Sequence, residues 1–259
     1  MVTLTFLGTG TSMGVPMFGC DCRVCKSTDP RDKRSRSSIM LTVDGKNILV
    51  DTSTDLYYQA INNDVRNVNA VLYTHSHADH VHGIDELRRF NHIQHEEITC
   101  YGKKETIESI RGIFTYIFTR KEGQLDIPQL VTENIDDTIN LYGIDITPIE
   151  IDHGAQTIFG YRFLDCAYLT DCSGIPEASM DKLADLDILI IDGLRYRPHK
   201  NHFNYDEALV MIEKLKPKRA YLTHLTHDYL YEEMPDKLPD NVLLPYDGLK
   251  LTHDGTLWK

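Results

Sequence analysis

His75, His77, Asp79 and His80 fall within six consecutive positions, and imidazole and carboxylate groups so closely spaced are the donors from which metal sites are built. The apolar run Ala70-Val71-Leu72-Tyr73 stands just before them and reads as a buried strand. In an extended segment His75 and His77, two residues apart, point the same way. Asp79 and His80 come where the chain must turn, so they reach the same place from another side. The pattern predicts two metal ions held close together at the C-terminal end of a strand. Such a pair lowers the pKa of bound water and supplies a bridging hydroxide as nucleophile, with no need of Ser or Cys.

Two ions need further donors, and three other strand-like runs end on one. His153 follows the run at 148–152 and precedes Gly154, Asp171 follows 167–170, and His224 follows 219–223. Cys172 stands one residue past Asp171 and is not assigned. A different donor set comes early: Cys20, Cys22 and Cys25 offer three soft ligands, one short of a closed tetrahedral zinc site. In a reducing cytosol such a cluster favours metal over disulfides. His227, three residues after His224, is the candidate for the fourth ligand. That zinc would be structural, stapling the long N-terminal loop to the loop after a late strand. Cys100 and Cys166 sit in apolar runs and read as small core residues.

The elements that must carry these residues alternate along the chain. Residues 38–43 and 47–50 flank Asp44-Gly45, a hairpin signal. Residues 56–62 and 103–118 have helical spacing, the second ending in Phe114, Tyr116 and Phe118. Residues 144–151 and 157–164 read as neighbouring strands, and 187–192 as a strand buried on both faces. Residues 205–215 carry Ala208, Leu209, Ile212 and Leu215 on one helical face. Gly8 and Gly10 lack the P-loop lysine pattern and read as a tight turn. The basic residues at 31–36 read as a solvated loop. No linker or repeat divides the 259 residues, so one α/β domain over 1–259 is expected, sheets inside and helices outside.

Composition narrows the partners. The formal net charge of −12 argues against a sequence-independent grip on nucleic acid, which needs a basic face. A small anionic substrate remains compatible, because bound cations invert the local field. No secretory signal and no apolar run near the ~20 residues of a membrane span is visible, so the expectation is a cytoplasmic protein. A homodimer is left open.

His75-x-His77-x-Asp79-His80, with His153, Asp171 and His224, resembles the hallmark of the metallo-β-lactamase-fold hydrolases. That resemblance implies a four-layer αββα sandwich with a two-metal site at one edge. It implies His75, His77 and His153 on one ion, Asp79, His80 and His224 on the other, and Asp171 bridging. Zinc and manganese are both compatible with these ligands. The Cys20-x-Cys22-x-x-Cys25 cluster with His227 resembles the PhnP-like branch, the phosphoribosyl cyclic phosphodiesterases and their relatives. By motif position His202 falls on that branch's extra active-site histidine, with His199 as the alternative. The resemblance implies hydrolysis of a small or cyclic phosphodiester, of phosphoribosyl cyclic phosphate or cyclic nucleotide type, with His202 and Asp79 acting in catalysis. A tRNA 3′-processing endonuclease and a non-catalytic PqqB-like protein are the alternatives. Residues 84–130, including Arg88, Arg89 and the 114–118 aromatics, are expected to form much of the substrate-facing wall. His82 is expected to be a loop residue, and His92, His95 and His253 ordinary surface histidines.

Overall fold

The computed structural model describes residues 1–119 and 126–259. Strands apolar on both faces form its frame. β1 (Val2–Gly8) sends Val2, Leu4 and Phe6 to one side and Leu7 to the other. It is followed by β2 (Ser38–Val43), β3 (Lys46–Val50), β4 (Ala70–Tyr73), β5 (Ile98–Gly102) and β6 (Leu130–Asn134). A second series comprises β7 (Ile139–Leu141), β8 (Ile144–His153), β9 (Gln156–Phe163), β10 (Cys166–Leu169), β11 (Ile188–Asp192), β12 (Arg219–Thr223) and β13 (Val242–Leu243). β14 (Lys250–His253) returns to pair with β1.

Two sheets result, in the orders β14-β1-β2-β3-β4-β5-β6 and β13-β12-β11-β10-β9-β8-β7. In each, one half is antiparallel and the other parallel: β3 to β6 run parallel, as do β10 to β13. The inner faces meet in one core, where Leu4, Ile39 and Ile48 of the first sheet pack with Ile146, Tyr161 and Ile190 of the second. Period-two alternation sends the remaining apolar residues outward. Leu49 and Val71 lie under the helices Leu56–Asn62, Leu87–Gln94 and Lys104–Ile113. Leu189 and Ile191 lie under Tyr205–Leu215, which begins in a capping box of Asn204 and Glu207. Helix, sheet, sheet, helix: this is the four-layer αββα sandwich expected from the sequence.

The hairpin at Asp44-Gly45 has both residues at positive φ, as a tight two-residue turn between twisted strands requires. The helical stretch at 103–118 breaks at Phe114 into Lys104–Ile113 and Thr115–Phe118.

Three readings need correction. Gly8 and Gly10 do not make a tight turn. They let the backbone pass close to its neighbour, since a Cβ at Gly8 would lie 2.0 Å from the Arg36 carbonyl oxygen and one at Gly10 2.8 Å from that of Arg34. The basic stretch at 31–36 is not solvated throughout. Arg34 is 1% exposed and donates through Nη1 to Thr9 Oγ1 and the Pro245 carbonyl, while Arg36 pairs with Asp55 at 3.0 Å. His253 is buried against Trp258, its Nδ1 accepting the Gly255 N–H.

Candidate metal centre

The strand ends converge. β3, β4, β10, β11 and β12 each finish at the same edge of the sandwich, where the C-terminal ends of parallel strands leave loops free to carry chemistry. Asp51 follows β3, His75 lies two residues past β4, Asp171 two past β10, and His224 one past β12. Asp192 is the last residue of β11 and His153 the last of β8. The end of β4 is tied across the sandwich, because Tyr161 Oη donates to the Tyr73 carbonyl at 2.6 Å and the Phe159 N–H to that of Thr74 at 3.2 Å.

Two donor groups form there and share one carboxylate. Ligand atoms of His75, His77, His153 and Asp171 all lie within 4.8 Å of one another, as do those of Asp79, His80, Asp171 and His224. Asp171 Oδ1 is 3.2 Å from both His80 Nε2 and His224 Nε2, and its Oδ2 is 3.8 Å from His75 Nε2. Asp79 Oδ2 is 3.3 Å from His80 Nε2 and 3.5 Å from His224 Nε2. The structure therefore brings together all seven residues singled out from the sequence.

The Nε2 atoms of His75, His80 and His224 are buried without a hydrogen-bond partner among the described residues. Buried polar atoms are almost always satisfied, so three orphaned nitrogens facing shared carboxylates fit metal ligation. Electrostatics agree. Burial, and then the charge on His80, push His75 well below the imidazole range. Burial opposes a charge on His80 too, yet the carboxylates of Asp171, Asp79 and Asp51 hold it well above that range. Burial likewise opposes ionisation of Asp171, but His224 and His80 hold it far below the usual carboxylate range. A proton on His80 thus occupies a field suited to a cation.

Three of the nitrogens turned away from the cluster are held in place. His80 Nδ1 donates to Asp51 Oδ2 at 2.7 Å, His75 Nδ1 bonds Thr74 Oγ1 at 3.0 Å, and His153 Nδ1 donates to the Asn201 carbonyl at 2.9 Å. Such partners fix ring orientation and raise ligand basicity. Asp51 also accepts from the N–H and hydroxyl of Thr74. Asp51, Asp171 and His224 all adopt positive φ, at 63°, 56° and 57°. Left-handed backbone at a residue other than glycine costs about 1–2 kcal/mol and persists only where surrounding structure enforces it.

His202 flanks the cluster, its ring stacked on His224 at 4.9 Å and edge-on to His153 at 4.9 Å. Its Nδ1 donates to Asp192 Oδ2 at 2.6 Å, and the same oxygen accepts the Cys172 N–H. His199 stands one ring further out, 5.0 Å from His202, and belongs to neither shared donor group. Asp51 and Asp192 are the functional residues that sequence reasoning missed. Both obey the rule that found Asp171, a carboxylate where an apolar strand ends.

Cys20, Cys22 and Cys25 place their Sγ atoms 3.2, 3.4 and 3.3 Å from His227 Nδ1. A tetrahedral zinc with ordinary bond lengths separates sulfur and nitrogen ligands by about 3.5 Å, so these four residues suit that ion. No described residue of the wall expected at 84–130 belongs to the donor groups or lines the cavity beside His202. His82, exposed at the end of its short helix, packs edge-on against Phe114 at 5.5 Å. Arg88 is bound to Asp85 and the Asp126 carbonyl, whereas Arg89 lines a groove with Tyr57 and Ile61 formed by residues of the helices Leu56–Asn62 and Leu87–Gln94. Residues 120–125 of that wall lie outside the described residues.

Fold and donor set define a metallo-β-lactamase-fold hydrolase, and the family described as Beta-lactamase superfamily domain matches residues 46–225. The chain is 41% identical to a solved structure described as a new diphosphatase from the PhnP family, with a TM-score of 0.91 and 98% of each chain covered. It belongs to the beta-lactamase superfamily and, within it, to the PhnP family. It is also 38% identical over 253 residues to the octanoyltransferase of Porphyromonas gingivalis (strain ATCC BAA-308 / W83), covering 96% of this chain. It spans only about half of that protein's length, 51%. The Zn(2+)-bound PqqB of Methylobacterium extorquens shares the fold, with a TM-score of 0.78 at 19% identity over 97% of this chain and 100% of that one. Fold and family imply divalent metal ions at the donor cluster. Among the described residues no helix is long and apolar enough to cross a membrane.

Proposed function

We propose that the protein is a dinuclear metal-dependent phosphodiesterase acting on a small or cyclic phosphodiester. The observation that carries this reading is the pair of donor groups sharing Asp171, with His202 held beside them by Asp192. His75, His77 and His153 would hold one ion and Asp79, His80 and His224 the other, zinc or manganese in either place. When bound, the ions supply Lewis acidity and a water made nucleophilic near neutral pH.

The chain's own residues do the rest. Asp171 sets the spacing of the two donor groups. Asp79 adds negative charge on the side of His80 and His224 and helps place the attacking water. His202 is tethered through Nδ1, so Nε2 is the atom that gives a proton to the departing alkoxide, a role worth about 10²–10⁴ in rate. Asp192 keeps that ring in orientation, while burial holds His202 below the ordinary imidazole range, which suits a group that must give its proton away. A structural zinc on Cys20, Cys22, Cys25 and His227 would hold the N-terminal loop against the loop that follows β12. The octanoyltransferase name belongs to a chain about twice as long and does not decide what the shared half does.

The test is elemental analysis of purified protein beside a panel of cyclic nucleotides, cyclic ribose phosphates and linear diesters. Three metals per chain with selective turnover of cyclic diesters supports the proposal. Full metal loading with no phosphodiester turned over rejects it.

A further inference from the structure

Cys22 stands just before the short helix Arg23–Lys26 and Cys25 within it. The Cys25 N–H donates to Cys22 Sγ at 3.4 Å, and the Met17 N–H to Cys25 Sγ at 3.4 Å. Ligand atoms of Cys20, Cys22, Cys25 and His227 all lie within 4.8 Å of one another. Cys25 is buried, whereas Cys20 and Cys22 are half-buried, and all three are free thiols. Thiolates kept for a metal are the nucleophilic form of cysteine, and an accessible one beside a second thiol is the arrangement most open to oxidation. Cys100, Cys166 and Cys172 are buried elsewhere.

The loop that carries the cluster reaches the metal centre. Its own apolar core is small, formed by the buried residues Val15, Val24 and Cys25, so the four donors carry a large share of its order. The Thr11 N–H donates to the Leu225 carbonyl at 3.0 Å, and the Leu225 N–H to the Thr9 carbonyl at 2.9 Å. Leu225 stands between His224, a donor at the metal centre, and His227, which also lines the cavity beside His202. Release of His227 and its loop therefore acts on the same short segment that positions His224.

We infer that Cys22 and Cys25 are an oxidative modification site, a thiol pair that a peroxide converts to a disulfide, and that this conversion switches the metal centre through residues 224–227. The inference rests on the zinc proposed above for this cluster. The Cys22 thiolate, more accessible than Cys25, attacks one peroxide oxygen; an S–O bond forms, the O–O bond breaks, and hydroxide leaves. The Cys25 thiolate then attacks the Cys22 sulfur; the S–S bond forms, the S–O bond breaks, and a second hydroxide leaves. Two electrons pass from sulfur to the peroxide, and two protons from solvent turn the hydroxides into water. Cys20 and His227 are then two donors of four, too few to hold the ion.

The test treats metal-loaded protein with hydrogen peroxide and follows zinc release with a chromophoric chelator. Trypsin cuts after Arg23, between the two cysteines, so under non-reducing conditions a Cys22–Cys25 disulfide joins peptides 1–23 and 24–26, which a Cys20–Cys22 bond would not. Zinc should leave in step with that linkage while Cys100, Cys166 and Cys172 stay unmodified. Turnover of bis(4-nitrophenyl) phosphate should fall about 10- to 100-fold, the range seen when support for metal ligands is lost. Dithiothreitol with zinc should restore all of these. Oxidation of Cys22 past the sulfenic acid without the linkage overturns the inference, and so does full linkage with turnover unmoved. Elemental analysis of the reduced protein tests the ion separately: its absence removes the zinc assignment, whereas zinc present and unmoved by excess peroxide overturns the switch alone. Should the untreated protein turn over no phosphodiester, that reading fails by itself. Zinc affinity of the catalytic donor groups then decides: a loss of about tenfold or more on oxidation supports the switch, and a change below about twofold rejects it.

Discussion

Asp51 and His80 are joined by a 2.7 Å hydrogen bond between two fully buried side chains, one at the end of β3 and the other just past β4. The same carboxylate accepts two hydrogen bonds from Thr74, so one side chain fixes both a ring and the backbone that leads to His75 and His77. Asp51→Asn keeps the shape but offers its Thr74 and His80 donors one acceptor fewer. Metal affinity should fall about 10- to 100-fold, as is typical when such an outer partner is lost. Titration of the apo-protein with zinc, read by competition with a chromophoric chelator, measures it. An unchanged affinity would remove Asp51 from the site.

His202→Ala should retain its metals while kcat falls about 10²–10⁴-fold on an alkyl ester. A nitrophenyl ester, whose leaving group needs no proton, should be slowed much less. Asp192→Asn should reproduce the pattern in milder form, because it orients the ring without touching substrate. Equal slowing of both esters would count against proton donation.

Cys22→Ser removes one of the three thiols facing His227. The expected result is one metal fewer per chain, lower thermal stability, and a loop at 15–26 more open to limited proteolysis. Elemental analysis and differential scanning calorimetry check the first two. Loss of the zinc with an unchanged melting temperature would deny the loop cluster its structural role.

Asp247 carries a pH dependence. Burial pushes its carboxyl up to about 6, although the N–H and hydroxyl groups of Ser35 and Thr9 all bond to it. A carboxyl whose folded pKa exceeds its unfolded value near 3.8 binds its proton more tightly in the fold. Its contribution is therefore full below about pH 4 and is lost as pH rises through about 6. The amplitude over that window is about 3 kcal/mol at most. Urea unfolding from pH 4 to 7 should show this falling component in wild-type protein and not in Asp247→Asn. A common slope in the two would place the titration elsewhere.

Much of the site was legible because its chemistry sits where apolar runs stop, and periodicity locates those ends well. His75 to His80, His153, Asp171 and His224 all obey that rule, and the late helix was read to the residue as Tyr205–Leu215. Asp51 and Asp192 obey it too. They went unnoticed because a single carboxylate after a strand is common and only a neighbouring imidazole gives it meaning. Arg34 was misread for a different reason. Its partners are Thr9 and the carbonyl of Pro245, 211 residues away, and no local pattern distinguishes a buried arginine from a solvated one. Gly8 and Gly10 failed likewise, since turn and close approach call for the same residue.

The left-handed backbone at Asp51, Asp171 and His224 bears on how this chain tolerates change. Glycine fits that conformation without strain and none of the three positions uses it, because each needs a side chain that binds or orients. Selection for robustness alone would drift toward glycine or asparagine at these places, and each such step would erase a ligand or its support. Thermostabilised descendants chosen without an activity screen should therefore lose their chemistry first at the strand ends, with both sheets and their packing intact.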